Sequence, residues 1–485
     1  VTQNQEQPTQ KLSFLTKLIY GSGDWSMASF NTIRQIFYAI FLTDTVGLHP
    51  QLASLAALIG IIWDAANDPL VGSLSDSAHT KWGRRRPFLL LFSIPFGLAF
   101  VLLWWAPPWN SQFLLFLHVT AAYMLTDTLQ TLVVVPFLTL TPELTQDYDE
   151  RTSLTTFRML FNLLASLAAA AGAPEIVASF ANRQTGYLVM SAIFGALSIF
   201  PYLLIFITTR ERFSEPRPVK NQYTPLESFT STWKNGPFRI ATTINLLNWV
   251  TFDLVALMLP FFIRYWIDEG NLTHQIDVPP IGMLTTESLV FLILLTTAIL
   301  ALPLWSFLAQ RWNKRNAYIV GMLFWAVVQL LIITIKPGQL SYILILAIFA
   351  GISVATAHVL PNALFPDVLE WDEIKTGQRR DGIYYGILNL TRKLASAITI
   401  FAALQTLGIF GYQTPPANAA TFTQPAQTLL AIRVLTGPAG AILLIGAIVT
   451  AFFYPVSRET HARMRYLLAK RRARQLAAAP LPPDR

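Results

Sequence analysis

The sequence predicts an all-α membrane protein of twelve transmembrane helices, in two pseudo-symmetric six-helix halves with both termini cytoplasmic. Three observations predict it. Of 485 residues, 53% are hydrophobic and only 13% charged, with a mean hydropathy of +0.46, whereas soluble domains carry about 25% charged residues. Apolar runs long enough to cross a bilayer, roughly 20 residues each, recur twelve times. The loops between them alternate between rich and poor in Lys and Arg.

The spans are read at about 12–46, 51–75, 87–106, 110–141, 153–180, 186–209, 236–267, 284–310, 317–335, 341–367, 383–412 and 428–454. Spans 1, 4 and 7 are long and interrupted by polar residues, which predicts tilt or kinks. The loops after spans 2, 4, 6, 8 and 10 hold sixteen Lys and Arg, and the remaining loops hold only Arg183 and Lys336. Basic loops stay cytoplasmic, so the expected location is an inner (plasma) membrane, crossed many times. Residues 1–209 then form the N-terminal half, 210–235 a cytoplasmic linker with Pro216, Pro218 and Pro225, 236–454 the C-terminal half, and 455–485 a basic cytoplasmic tail.

The halves echo each other. Lys81-Trp82-Gly83-Arg84-Arg85-Arg86 follows span 2, and Arg311-Trp312-Asn313-Lys314-Arg315 follows span 8. Pro142-Glu143 ahead of Asp149-Glu150 and Arg151 after span 4 matches Pro366-Asp367 ahead of Asp372-Glu373, Arg379 and Arg380 after span 10. Two related halves around a midplane site are the usual architecture for alternating access.

Several function classes drop out. With no cysteine, disulfides, thiolate metal sites and thiol catalysis are excluded. There is no phosphate-binding Gly-Lys-Ser/Thr loop, no zinc-type His cluster and no nucleophile–base pair, so neither an enzyme nor an ATP-driven pump is expected. The net charge of +8 sits in short loops and the tail, where membrane lipids rather than nucleic acid are the expected partner. The polar stretch Val1–Gln10 lacks the basic start and apolar run of a cleavable signal peptide.

Charges inside spans are costly and mark functional sites. Asp64 and Asp68, four residues apart, share one helix face. With Asn67 they make a hard oxygen cluster suited to Na⁺, Li⁺ or H⁺. Lys393, in the opposite half, is their expected partner and a solute contact that links the cation and solute sites by charge, and Arg392 beside it points about 100° away around the helix. Asp24 and Arg34 are expected as mutual partners or solute contacts, with Asp127, Asn389 and the Trp249–Asp253 pair as further solute contacts. Asp76, Arg84, Arg85, Arg158 and Arg379 are the expected gating residues, and His358 reads as packing.

These residues resemble the glycoside–pentoside–hexuronide:cation symporters, the melibiose-permease-like branch of the major facilitator superfamily. The resemblance runs almost the whole length. It is carried by Tyr20-Gly21-Ser22-Gly23-Asp24, Thr43-Asp44 with Gly47-Leu48, and Asp64-Ala65-Ala66-Asn67-Asp68-Pro69 with Gly72 and Asp76. Trp82-Gly83-Arg84-Arg85-Arg86-Pro87, Asp367, Lys375-Thr376-Gly377, Arg379-Arg380-Asp381-Gly382-Ile383 and Lys393 complete it. It implies a monomer that couples uptake of a small-molecule solute to Na⁺, or Li⁺ or H⁺, with no cofactor. The family's cation ligands fall on Asp64, Asn67, Asp68 and Thr131. The positions of its galactoside aspartates hold Ala28 and Val134, and that of a nearby arginine holds Ile61. A galactoside is therefore not expected; another sugar, glycoside or sugar acid is. The alternatives are a lysophospholipid or other amphiphile on the same fold, or a non-transporting sensor or scaffold.

Overall fold

The first span is two helices. Helix α1 (Phe14–Gly21) starts at Ser13, whose hydroxyl accepts the Thr16 amide, and the chain breaks at Ser22, between Gly21 and Gly23, before α2 (Gly23–Asp44). In this computed structural model the described residues are 11–470, apart from 79, 146, 212–229, 231, 281, 377–379, 417–418, 456–458, 461–462 and 469. Most of the linker, the far tail and Arg379 thus lie outside them.

The rest of the N-terminal half is α3 (Pro50–Ser77), α4 (Arg86–Leu103), α5 (Gln112–Leu144), α6 (Tyr148–Ala178) and α7 (Arg183–Thr208). The C-terminal half is α8 (Gly236–Phe262), widened into a π-turn at Ile263–Ile267, then α9 (Thr286–Arg311), α10 (Lys314–Ile332), α11 (Leu340–Thr376) and α12 (Asp381–Ile409). Its last span is split by Gly437 into α13 (Ala426–Thr436) and α14 (Pro438–Phe452). Starts are capped as the sequence chemistry dictates: Ser111, Asp147, Asn182, Asn235 and Thr285 each accept a first-turn amide, satisfying donors that no helix can satisfy itself.

Every expected span is helical, and eleven stretches of the described residues are long and apolar enough to cross a membrane, α3 to α12 and the α13–α14 pair taken together. Helix α2 is the exception, because Asn31, Arg34 and Gln35 on it line an internal cavity. Two expectations need correction. Helix α11 runs on to Thr376, past the expected end at 367, through Pro361 and Pro366. The loop after α8 carries an antiparallel hairpin, β1 (Gln275–Val278) and β2 (Gly282–Thr285), in a chain expected to be purely helical.

Packing follows membrane rules, with small residues where helices cross. A Cβ added to Gly195 on α7 would meet the Gly97 carbonyl oxygen on α4 at 2.9 Å. Large apolar side chains such as Leu98, Leu300, Ile442 and Phe453 stay exposed, as a lipid-facing surface requires.

The sequence echo between the halves is structural. Arg84 Nη2 lies 2.7 Å from Glu143 at the end of α5, and Lys314 Nζ lies 2.9 Å from Asp367 in α11. In the first loop Gly83 has φ +105°, and a side chain there would strike the Glu211 carboxylate. That carboxylate accepts the backbone amides of Arg84, Arg85 and Arg86 at 2.7–3.1 Å, neutralising the positive end of α4.

The halves meet at the end away from the linker. There Asp44 of α2 accepts from Arg264 at 2.9 Å, from Tyr265 at 2.7 Å and from Tyr412. Glu175 of α6 accepts the Thr285 amide at 2.7 Å, which ties the hairpin to the N-terminal half. Ser288 donates to the Ala171 carbonyl at 2.7 Å and Arg183 to that of Leu272 at 2.8 Å. One buried apolar cluster runs through the N-terminal half. At this same end it continues into residues between Leu254 and Ile267 and into Ala403, Leu404 and Leu407 of α12. At the linker end the described ion pairs Arg84–Glu143, Lys17–Glu150, Lys314–Asp367 and Arg380–Asp372 each stay within one half. The molecule is closed at the far end.

Candidate functional site

Helices α3 and α12 cross at mid-membrane, and the crossing is an ion cluster. Lys393 Nζ sits 2.8 Å from Asp64 Oδ1 and 2.6 Å from Asp68 Oδ2. The four-residue spacing puts both carboxylates on one face of α3, so one ammonium reaches both. Thr131 of α5 adds its hydroxyl, 3.5 Å from the other Asp68 oxygen, while donating to the Asp127 carbonyl at 3.0 Å. Asp68 is the open member, its side chain 42% exposed against 19% for Asp64. Asn67 is buried, with no partner on its amide nitrogen, and does not line the cavity that the other three border.

That cavity, of about 420 Å³, lies between the halves. Besides the cluster it is bordered by Arg34, Gln35, Tyr123, Asp127, Gln130, Asp253 and Arg392. Arg34 is held 3.5 Å from Asp127 and stacks near Phe30 and Tyr123, 5.0 and 5.1 Å from their ring centres. Gln35 donates to Asp253 at 2.7 Å, a second mid-membrane bond between the halves. Ile61 and Val134, two of the positions that depart from the galactoside pattern, are part of this wall.

A second chamber of about 470 Å³ adjoins the first and is walled almost entirely by apolar residues of α6, α8, α9, α10 and α11, Trp249 and Phe252 among them. Ala28, the third departing position, borders it. The two spaces share Met27, Asn31, Gln35 and Arg392 as lining, so they adjoin across those side chains, one charged and one oily.

Other expected site residues are placed elsewhere. Asp24 does not meet Arg34: ten residues along a helix separate them by about 15 Å. It is fully buried and ion-paired with Arg158 of α6, and neither borders the two chambers. Arg158 therefore braces α2 against α6 within the N-terminal half. Trp249 and Asp253 do not form one patch, since Trp249 faces the oily chamber and Asp253 the polar one. Asn389 borders neither. Arg84 and Arg85 both reach Glu143 in their own half. The side chains of Asp76 and His358, and all of Arg379, lie outside the described residues.

Sequence reasoning gave no role to Asp44, Tyr265 or Gln35, and none to Arg264 beyond its being a charge inside span 7. The Thr43-Asp44 motif was a visible signal, but only folding brings it to residues more than 200 positions away.

The sequence profile of the MFS/sugar transport protein family matches residues 19–458. An uncharacterized symporter of Synechocystis sp. is 30% identical over 96% of this chain and 99% of its own. A sodium-dependent lysophosphatidylcholine symporter of Danio rerio is 25% identical, covering 96% of this chain and 91% of its own. A putative sulfoquinovose importer of Salmonella typhimurium is 26% identical, covering 97% and 95%. Among solved structures, a bacterial homologue of the lysosomal transporter Spinster, inward-facing and unoccupied, superimposes with a TM-score of 0.61 at 14% identity over 94% of this chain and 96% of its own, a likeness of fold. A two-half helical bundle with a charged midplane cavity, matched over residues 19–458 by this profile, is a multi-pass membrane transporter, and the chain belongs to the MFS/sugar transport protein family.

Proposed function

We propose that the protein is a secondary active symporter that couples a monovalent cation, Na⁺ or else Li⁺ or H⁺, to uptake of a sugar, glycoside or sugar acid. The carrying observation is Lys393 bridging Asp64 and Asp68 across the two halves. An ammonium and a bare cation compete for the same oxygens. A Na⁺ bound by Asp64, Asp68 and Thr131 takes over neutralisation of the carboxylates and releases Lys393 into the 420 Å³ cavity. Cation and solute then bias one interface between the halves, which is what coupling requires. The basic linker end is the cytoplasmic face, so the described state, closed at the far end, is the inward-facing one. Both termini are cytoplasmic, the chain works as a monomer in an inner (plasma) membrane, and lipid headgroups meet the basic loops.

A second reading of the cargo rests on the oily chamber. A polar space adjoining a 470 Å³ apolar one fits an amphiphile with its head at Arg392 and its chain beside Trp249. The relative named for lysophosphatidylcholine supports this reading, and the one named for sulfoquinovose supports the first.

The test is uptake into proteoliposomes with and without an inward Na⁺ or H⁺ gradient. Hexuronates, a sulfonated hexose, neutral hexoses and lysophospholipids are supplied in turn. Accumulation of one class only under a gradient is expected. Equilibration without accumulation, whatever the gradient, defeats the symport reading.

A further inference from the structure

We propose that Arg392 is the anion receptor of the solute site, so that the cargo carries a fixed negative charge: a carboxylate, sulfonate or phosphodiester. This rests on the reading of the cavity as the solute site. Around the two chambers the other cations are already matched. Lys393 is taken by Asp64 and Asp68, and Arg34 by Asp127. Farther off, where they border neither chamber, Arg158 is paired with Asp24, and Arg264 with Asp44 and Glu287. Arg392 alone among these makes no hydrogen bond and no ion pair to the described residues. Asp253 is the carboxylate whose charge it feels, and that group accepts from Gln35 at 2.7 Å.

What holds Arg392 is an aromatic face: its guanidinium carbon lies 4.0 Å from the centre of the Trp249 ring. Cation–π contact orients a guanidinium without using its N–H groups. Five donors are thus presented in a planar fork, the geometry that binds two oxygens of an anion at once. Arg392 is exposed and lines both cavities, so its donors are open to a ligand that supplies a second, contacting negative charge. Position agrees, because Arg392 borders both chambers. An anionic group docked there leaves either a hydroxylated remainder in the polar cavity or an acyl chain in the oily one. The shared chemistry is the anion, and the two sources differ in what it is attached to.

The test uses the purified full-length chain in lipid nanodiscs and two matched probe pairs. These are glucuronate against glucose, and palmitoyl lysophosphatidylglycerol against monopalmitoylglycerol. Thermal midpoint is followed against probe concentration. The anionic member of one pair raises the midpoint and its neutral partner does not; which pair responds separates sugar acid from lipid. In Arg392→Gln the half-saturating concentration rises at least tenfold, and in Arg392→Lys it rises less. Na⁺ shifts the midpoint of both variants as it does the parent, reporting an intact fold and cation site; if only the Lys variant keeps that response, its affinity loss decides. A wild-type response to a neutral probe as strong as to its anionic partner overturns the proposal. So do no response to either anionic probe, and unchanged affinity in Arg392→Gln. Absence of any Na⁺ response in the parent, with the anion preference intact, would instead sink the symport reading and leave this one standing.

Discussion

Lys393 and Asp68 stand 325 residues apart in sequence and 2.6 Å apart in space. That pair, shared with Asp64, is the shortest described ionic link between the halves at the level of the cavity. Whatever displaces the lysine changes how the halves are held.

Asp68→Asn removes the more accessible of the two carboxylates. A hydrogen bond involving a charged group is worth about 1.5–3 kcal/mol, so the half-saturating Na⁺ concentration is expected to rise about 10- to 100-fold. Titration of Na⁺-dependent uptake or of thermal midpoint measures it. Coupled uptake with unchanged sodium dependence would remove Asp68 from the cation site.

Lys393→Ala leaves two carboxylates with no shared counter-ion. The variant is expected to fold in Na⁺-containing buffer, bind Na⁺ at least as tightly as the parent, and fail to accumulate solute. Measuring sodium affinity beside accumulation distinguishes a coupling residue from a lysine that merely reaches for the surface. Full accumulation would support the latter.

Asp44→Ala strips Arg264, Tyr265 and Tyr412 of the acceptor they share. Breaking a buried ion pair costs on the order of 3–5 kcal/mol, and that cost falls on the far-end-closed state. The population is expected to shift toward opening at that end. Because the chain has no cysteine, spin labels on Asn182→Cys and Thr273→Cys report on the far end without background. Their mean separation is expected to lengthen in Asp44→Ala, and an unchanged distance distribution would show that this network does not hold the far end shut.

Asp268, just beyond the membrane span, has its carboxyl pushed up from 3.8 to about 6, chiefly by burial. Thr286 and His274, which bond it at 2.7 and 2.8 Å, act against that rise, and nearby Glu287 adds to it. Folding here favours the protonated acid. Its contribution is fully present below pH 3.8 and is lost as pH rises through about 6. Two pKa units correspond to about 3 kcal/mol at most. Asp268→Asn is therefore expected to flatten the fall in thermal midpoint between about pH 4.5 and 7. A parallel pH profile in parent and variant would place the pH sensitivity elsewhere.

How legible the molecule was depends on whether a property is local. Apolar runs and loop charges belong to single segments, so the spans and the two-half plan could be read from them. Asp64 and Asp68 were legible because helical spacing alone puts them on one face. Asp24 was misread because its proximity to Arg34 in sequence is not proximity in space; its partner, Arg158, comes from another helix. Trp249 and Asp253 share a helix, but four residues of rotation and the wall between two chambers separate their roles.

The order of hydrophobic and basic segments by itself determined a twelve-span, two-half membrane bundle with a charged midplane, because a bilayer sorts each segment by its own transfer free energy. Only the tertiary structure decided which charges are matched, that Asp44 bridges the halves at the far end, and that Arg392 lies over Trp249 between a polar and an oily space. Those facts depend on helices hundreds of residues apart packing side by side. Electrostatic partnership falls off within a few ångströms, a scale on which distance along the chain carries no information.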